Sequence, residues 1–350
     1  MNISIGIVAL NEEKYLPGIL GDILRQSYPH KKIELVLVDS MSEDGTRSLM
    51  QQFAREHAGQ FLNIIVSDNP GRIQSCGWNR VIGLFTTGAL IRIDAHSSIP
   101  GDFVKNNVAV LEEGEFVAGG ARPNIAMEAS PWQEVLLMAE SSMFGSSAAS
   151  FRREGKRAYV KSFFHGAYRR EVFERAGKFR EDLGRTEDNE FHYRIRQKGF
   201  RLCMAPEILS YQMIRPSLPA MCRQKFGNGY WVGLTAGICP GCLSVYHFVP
   251  FAFVCGIIVT TILAVCAHPF LAVLMWTLYW LLAVIMAAGA VRAGRKRDAA
   301  LGVYAGQFVL PALFFLLHVS YGLGTLLGIL NLPFWRGRQW WKKKNTRGKN

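Results

Sequence analysis

From Val245 to Val291 the chain contains no aspartate, glutamate, lysine or arginine, and only His247 and His268 are even weakly basic there. An uncharged run of this length is too long for one buried helix and suits two membrane-crossing helices of about 20 residues each. The break falls at His268-Pro269, because proline favours a turn or the first position of a new helix. The expected spans are 245–266 and 270–291. A secretory leader is also missing from the N-terminus, which runs from Met1-Asn-Ile-Ser-Ile into Asn11-Glu-Glu-Lys14 without a basic start. The first part of the chain is therefore expected in the cytoplasm. Cysteine is scarce: seven residues, odd in number and mostly isolated, speak against a disulfide framework. Cys239-Pro-Gly-Cys242 has redox spacing, but no strand leads into it and no second cysteine pair or His-x-His accompanies it. A turn at the membrane surface is the expectation, ahead of a redox or zinc centre.

Positive charge is abundant: 40 lysines and arginines against 27 acidic residues give a net charge of +13. Arg292, Arg295, Lys296 and Arg297 follow the second apolar run, and Lys342, Lys343, Lys344, Arg347 and Lys349 crowd a basic tail at 336–350. Basic residues beside spans favour the cytoplasmic face and anionic headgroups. Because the clusters abut the apolar runs, membrane is the expected partner and nucleic acid is not. A third apolar stretch, 301–332, carries Pro311, Gly322, Gly324 and Gly328. One further crossing would place the basic tail outside, against the positive-inside tendency. A re-entrant or bent hairpin would keep it inside, and the sequence leaves both paths open.

The first part alternates strand-like and helix-like segments. Strands are expected at 3–9, 33–39, 63–67 and 90–94, and helices at 11–26, 42–57 and 73–85. Such alternation predicts an α/β fold with a doubly wound, mostly parallel sheet, in which ligands bind beyond the C-terminal strand ends. Asn11, Asp39, Pro70-Gly-Arg72 and Asp94 all fall there. Beyond Asp94 the pattern loosens, with strands near 116–120, 163–168 and 201–204 and helices at 132–144, from 170, and at 188–198. Residues 146–157 read as a small, polar and basic mobile loop. This α/β domain is expected over 1–218. A connector over 219–244 follows, where Arg223, Lys225, Phe226, Tyr230 and Trp231 suit the headgroup region.

Three positions carry chemistry. Asp39 ends a hydrophobic strand, where a carboxylate accepts hydrogen bonds from a base or ribose or, alternatively, holds a turn. Asp94-Ala-His96 follows another, and alternate residues of an extended segment point the same way, toward one divalent cation. Imidazole is better accepted by Mn²⁺ than by Mg²⁺. Thr186-Glu187-Asp188 offers carboxylates at a helix start, fit for a general base and equally for capping the helix; the two roles are compatible. Arg72 and Arg122 follow glycine-bearing loops, within reach of phosphates or of solvent.

Taken in order, these segments resemble family 2 glycosyltransferases with the GT-A fold, a group that includes bacterial exopolysaccharide transferases of the succinoglycan type. The resemblance runs from Ile3 to Trp231. It takes in Asn11-Glu12, Val38-Asp-Ser40 with Asp44-Gly-Thr46, Ile93-Asp-Ala-His96 and Gly166-Ala-Tyr-Arg-Arg170. It continues through Thr186-Glu-Asp188, Arg215-Pro-Ser-Leu218 and Arg223 to Trp231. It implies inverting transfer of a sugar from a nucleotide-diphosphate donor, a UDP-sugar, to a lipid-linked saccharide in exopolysaccharide or cell-envelope glycan synthesis at the inner (cytoplasmic) membrane. The implied donor residues are Ala9, Asn11, Glu12, Asp39 and Asp94, with Asp94 and His96 on Mn²⁺ or Mg²⁺. Asp188 is the implied base with Glu187 beside it, and Gly166, Gln224 and Trp231 are the acceptor-side residues. The chain departs from the processive synthases' Gln-x-x-Arg-Trp signature: Gly227 stands at the arginine position and Trp231 arrives late. That departure, with few spans, points to single-sugar transfer. Two rival expectations are a polyprenyl-phosphate glycosyltransferase, whose anionic acceptor needs no base, and a non-catalytic membrane subunit that binds nucleotide sugar.

Overall fold

The computed structural model describes the chain except residues 127–129, 146–155, 267, 298–304 and 348–350. The expected loop at 146–157 thus lies almost wholly outside the described residues. These group into two compact units, Met1–Pro123 with Ser150–Met213 and Asn124–Ala149 with Ile214–Asn350. The division departs from the boundary expected at 218, because the helix near 131–141 belongs to the second unit. Its apolar face, Val135, Leu136, Met138 and Ala139, is buried there with Leu310, Leu313 and Phe314.

In the first unit the strands are β1 (Ile3–Ala9), β2 (Ile33–Asp39), β3 (Asn63–Asp68), β4 (Ala89–Asp94) and the short β5 (Ser97–Ser98). The helices between them are α1 (Leu16–Leu24), α2 (Thr46–His57) and α3 (Gln74–Leu84), followed by α4 (Phe103–Glu112) and β6 (Val117–Ala121). After β7 (Asn124–Ile125) and α5 (Pro131–Ser141), which lie in the second unit, come β8 (Ala158–Val160), β9 (Gly166–Arg169), α6 (Arg170–Ala176), α7 (Glu187–Gln197), β10 (Leu202–Leu209) and β11 (Tyr211–Met213). The sheet order is β3-β2-β1-β4-β9-β6-β10-β8. Pairs among β1 to β4 are parallel, as is β6 with β10, whereas β9 runs antiparallel between β4 and β6. Every residue of β2 is buried, as its uninterrupted apolar run predicts. The period-2 alternation sorts the strands' side chains. Ile3, Ile5, Ile7, Leu35, Leu37, Ile91 and Ile93 join α1, α2 and α4 in one core. Arg92, between Ile91 and Ile93, points to the opposite face, toward Trp78 of α3.

The second unit adds α8 (Leu218–Ala236), α9 (Val249–Val265), α10 (Phe270–Arg297) and α11 (Leu310–Arg347). Among the described residues three segments are long and apolar enough to cross a membrane: Val245–Val265, Phe270–Arg295 and Gly306–Gly337. The third apolar stretch is no hairpin, since α11 continues through Pro333 as one helix. Its glycines are a packing surface. A Cβ on Gly324 or Gly328 would lie 2.1 Å from the carbonyl oxygen of Phe226 or Tyr230 on α8, and one on Gly229 or Gly233 would meet the Tyr321 or Thr325 carbonyl at 2.0 or 2.3 Å. Only side-chain-free positions let two helices touch backbone to backbone in this way. Lys225, expected at headgroup level, is instead buried, its Nζ 2.7 Å from Glu140 Oε1 of α5. The seven cysteines form no disulfide, and Pro240–Cys242 is a single 3-10 turn.

Candidate active site

The C-terminal ends of β1, β2 and β4 are tied together by loop-to-loop hydrogen bonds. Ser40 donates its N–H to the Ala9 carbonyl at 2.8 Å. Asn11 donates its backbone N–H to Ser42 Oγ and accepts from the Glu43 N–H, both at 2.9 Å, while the Glu12 N–H reaches Thr46 Oγ1 at 2.8 Å. Asn11 adopts φ 56°, a left-handed conformation in which helix cannot continue. This is why the helix expected from residue 11 begins only at Leu16. Met41, Arg72 and Thr186 have positive φ as well, and all four such non-glycine residues among those described lie in loops at this end of the sheet or just before α7. Strained backbone of this kind collects at functional sites.

Asp39 is buried; its Oδ2 accepts from the Ser42 N–H at 3.1 Å, while its Oδ1 has no hydrogen-bond partner among the described residues. A buried acceptor without a donor is costly unless a ligand supplies one. Asp94, at the end of β4, faces Arg122 Nη1 at 3.2 Å, His165 Nε2 at 3.3 Å and Gln74 Nε2 at 3.4 Å. Burial opposes its charge, but the His165 hydrogen bond and the cationic surroundings outweigh burial and hold the carboxyl below the usual carboxylate range. His96 lies on the turn after β4 instead of extending the strand, with Nδ1 3.0 Å from Glu12 Oε1. Among the described residues no group of three or more His, Cys, Asp or Glu is placed to hold a metal ion alone.

At the start of α7, Asp188 Oδ1 accepts from Arg92 Nη1 at 2.5 Å. The Arg92 guanidinium is itself buried between the rings of Trp78 and Phe179, 4.3 and 4.6 Å from their centroids. Burial raises the pKa of Asp188 above the ordinary aspartate value, and Arg92 offsets part of the rise. Glu187 is raised too, by burial and then by the neighbouring Asp188. Neither residue is an ordinary helix cap: Thr186 at the cap position is left-handed and its side chain makes no capping bond. The unit therefore sets an ionised carboxylate, Asp94, and a proton-hungry pair, Glu187 and Asp188, around one strand, with Arg92 and Asp94 on its last three residues.

Residues 4–177 match the family model described as "Glycosyl transferase family 2". The chain carries a family 2 glycosyltransferase domain. It is 29% identical over 228 residues to the succinoglycan biosynthesis protein ExoA of Rhizobium meliloti, across 64% of this chain and 66% of that protein. It is 26% identical over 257 residues, 72% of this chain and 78% of the other, to a Methanococcus voltae enzyme. That relative is named dolichyl N-acetyl-alpha-D-glucosaminyl phosphate 3-beta-D-2,3-diacetamido-2,3-dideoxy-beta-D-glucuronosyltransferase. The mannosyltransferase PcManGT of Pyrobaculum calidifontis, solved with GDP-Man and Mn²⁺, shares the GT-A fold at a TM-score of 0.56. The identity there is 19%, over 93% of this chain and 87% of the other.

Within the glycosyltransferase domain, Ala9, Asn11, Glu12, Asp39, Asp94, His96, Glu187 and Asp188 all belong to the first unit. Gly166 belongs there as well, on β9, where a Cβ would lie 2.3 Å from the Phe163 ring and 2.8 Å from the Ala118 carbonyl. Gln224 and Trp231 lie on α8 of the second unit. Sequence reasoning missed Arg92 and His165, and it assigned Arg122 to phosphate or solvent when its guanidinium stacks on Phe164 at 3.8 Å and pairs with Asp94. A signal for Arg92 was present: one arginine inside the buried strand Ala-Leu-Ile-Arg-Ile-Asp. An arginine there must find a partner, and Asp94, two residues along the same strand, is itself taken up by Arg122 and His165.

Proposed function

We propose that the glycosyltransferase domain transfers one sugar, with inversion, from a UDP-sugar to a lipid-linked saccharide at the cytoplasmic face of the inner membrane, in exopolysaccharide or cell-envelope glycan synthesis. The observation that carries this reading is the Arg92–Asp188 pair, which fixes a carboxylate of raised pKa beside the strand that ends in Asp94. In the reaction the acceptor hydroxyl gives its proton to Asp188, its oxygen bonds to the anomeric carbon, and the bond from that carbon to the diphosphate breaks. Glu187, its carboxyl kept protonated by burial, leaves Asp188 as the ionised member of the pair that accepts the proton. The orphaned Oδ1 of Asp39 takes a hydrogen bond from the donor's base or ribose. Ala9, Asn11 and Glu12 shape the loop beneath the nucleotide.

The donor chemistry of Asp94 and His96, one carboxylate and one imidazole, fits a divalent cation that draws its other ligands from a diphosphate and water. Mn²⁺ or Mg²⁺ held there would neutralise charge on the leaving diphosphate. A lipid-linked acceptor is supported by the dolichyl phosphate in the name of the M. voltae relative and by the three helices among the described residues that are apolar enough to enter a membrane. Gly166, Gln224 and Trp231 are assigned to the acceptor side. The test is to supply membranes carrying the protein with a panel of radiolabelled nucleotide sugars and extract the lipids. Label in a lipid-linked oligosaccharide is the expected result; donor turnover that leaves no label in any lipid would overturn the acceptor assignment.

A further inference from the structure

The second unit contains a cavity of about 780 Å³ between α10 and the chain entering α11. That volume lies within the range of organic-ligand sites, roughly 300–1,000 Å³, in the form of an open groove along which Val284 and Phe308 are exposed. Its walls are apolar, formed by Val284, Ala287, Ala288 and Val291 of α10 with Phe308 and Pro311 across from them. Gln307 and two arginines, Arg292 and Arg295, complete the lining. Three apart on one helix, the arginines present their guanidiniums to the same side. Neither is joined to a carboxylate among the described residues. Arg292 is also the residue at which α10 leaves its uncharged run. In a membrane-crossing helix that step marks the passage from hydrocarbon to headgroups. The cavity thus straddles that passage, oily along most of its length and doubly cationic where α10 emerges.

We propose that this cavity binds a membrane lipid whose head is a phosphate monoester or diphosphate, with the phosphate on Arg292 and Arg295 and the proximal part of the chain along Val284, Ala287 and Val291. Two guanidiniums match the double negative charge of such a head, whereas a phosphodiester phospholipid brings one charge. The apolar wall rewards a chain that a free phosphate lacks. The proposal deepens the reading of a lipid-linked acceptor and rests on it for the source of the lipid. The site itself is defined without reference to the sugar-transfer residues.

The test uses the purified full-length chain in detergent, with no nucleotide sugar, and native mass spectrometry to follow bound lipid. Undecaprenyl phosphate should bind at least tenfold more tightly than phosphatidylglycerol, and inorganic diphosphate at equal concentration should not displace it. The double variant Arg292→Gln, Arg295→Gln should lose at least tenfold in undecaprenyl phosphate affinity. Ala288→Trp, which fills the cavity and leaves both arginines, should lose as much. Melting temperatures within a few degrees of the parent establish that each variant is folded, and the comparison of lipids on the parent protein stands even if one is not. Equal binding of phosphatidylglycerol, displacement by inorganic diphosphate, or undiminished binding in folded forms of both variants would each overturn the proposal. Because no donor is present, failure of sugar transfer to reach lipid would leave this result untouched, and the reverse holds as well.

Discussion

Replacing Asp188 by Asn separates the chemistry of the site from its architecture. The amide keeps the size of the carboxylate and an acceptor oxygen for Arg92, but it has no basicity. Loss of a general base costs about 10²–10⁴-fold in rate, which is roughly 3–5 kcal/mol of transition-state stabilisation at 1.36 kcal/mol per tenfold. The structure adds a second effect, because Arg92 is buried and Asp188 is its carboxylate partner. Stranding one member of a buried ion pair costs about 3–5 kcal/mol. The retained amide oxygen and the Trp78 and Phe179 faces should bring the loss below that range. The variant should therefore melt several degrees lower, remain folded at 25 °C, and bind donor within a few-fold of the parent. Single-turnover transfer at saturating donor, scaled to the folded fraction, should fall by two to four orders of magnitude. The companion Arg92→Met removes the positive charge that offsets part of the rise in the Asp188 pKa, so the acidic limb of its rate profile should move to higher pH. A folded Asp188→Asn protein that transfers sugar at the parental rate would refute the assignment of Asp188 as base.

Three further outcomes are expected. Exhaustive chelation should abolish transfer, with Mn²⁺ restoring it at least as well as Mg²⁺, and Asp94→Ala should raise the donor KM as well as lower kcat; full activity after chelation would exclude the cation. Gly328→Leu should separate α8 from α11, because its first side-chain atom alone would lie 2.1 Å from the Tyr230 carbonyl oxygen. A loss above about 1–3 kcal/mol, the usual cost of overpacking, should appear in the melting temperature, and an unchanged value would refute the backbone contact. Glu187 has its folded pKa raised by burial, so the folded state holds a proton that the unfolded chain releases near pH 4.3. Stability from this group is complete below that pH and declines as pH rises toward the folded value, so Glu187→Gln should flatten the fall in melting temperature over that window, and parallel curves would contradict it.

The parallel half of the sheet was legible because each of β1 to β4 is a short apolar run closed by a polar residue or turn, and the expected bounds agree with the observed ones within about a residue. The antiparallel insertion of β9 was not, since pairing partners distant in sequence leave no local periodicity. The same limit applies to α5, whose amphipathic pattern shows that one face is buried but not against which unit. In the site, Asp39, Asp94 and Asp188 could be picked out from their strand-end or helix-start positions. His165 could not, because its partner is 71 residues away, and Arg92 showed only as a lone charge in an apolar strand, its partner 96 residues away. Glycines 322, 324 and 328 read as interruptions in an apolar stretch, and only the closeness of α9 to the first and of α8 to the other two shows them to be contact points.

The left-handed backbone at Met41, Arg72 and Thr186 bears on any effort to make this protein hardier. Each L side chain held there costs on the order of 1–3 kcal/mol, and glycine would adopt the same angles without the Cβ conflict. Selection for heat tolerance alone would be drawn to glycine at these three positions. The loops it relaxed would be those that hold the C-terminal ends of the parallel strands and the entry to α7 in one shape before any substrate arrives. The yield would be a protein that survives longer and turns over more slowly. Durable variants that keep their speed should instead come from surfaces far from these loops, such as the exposed face of α2.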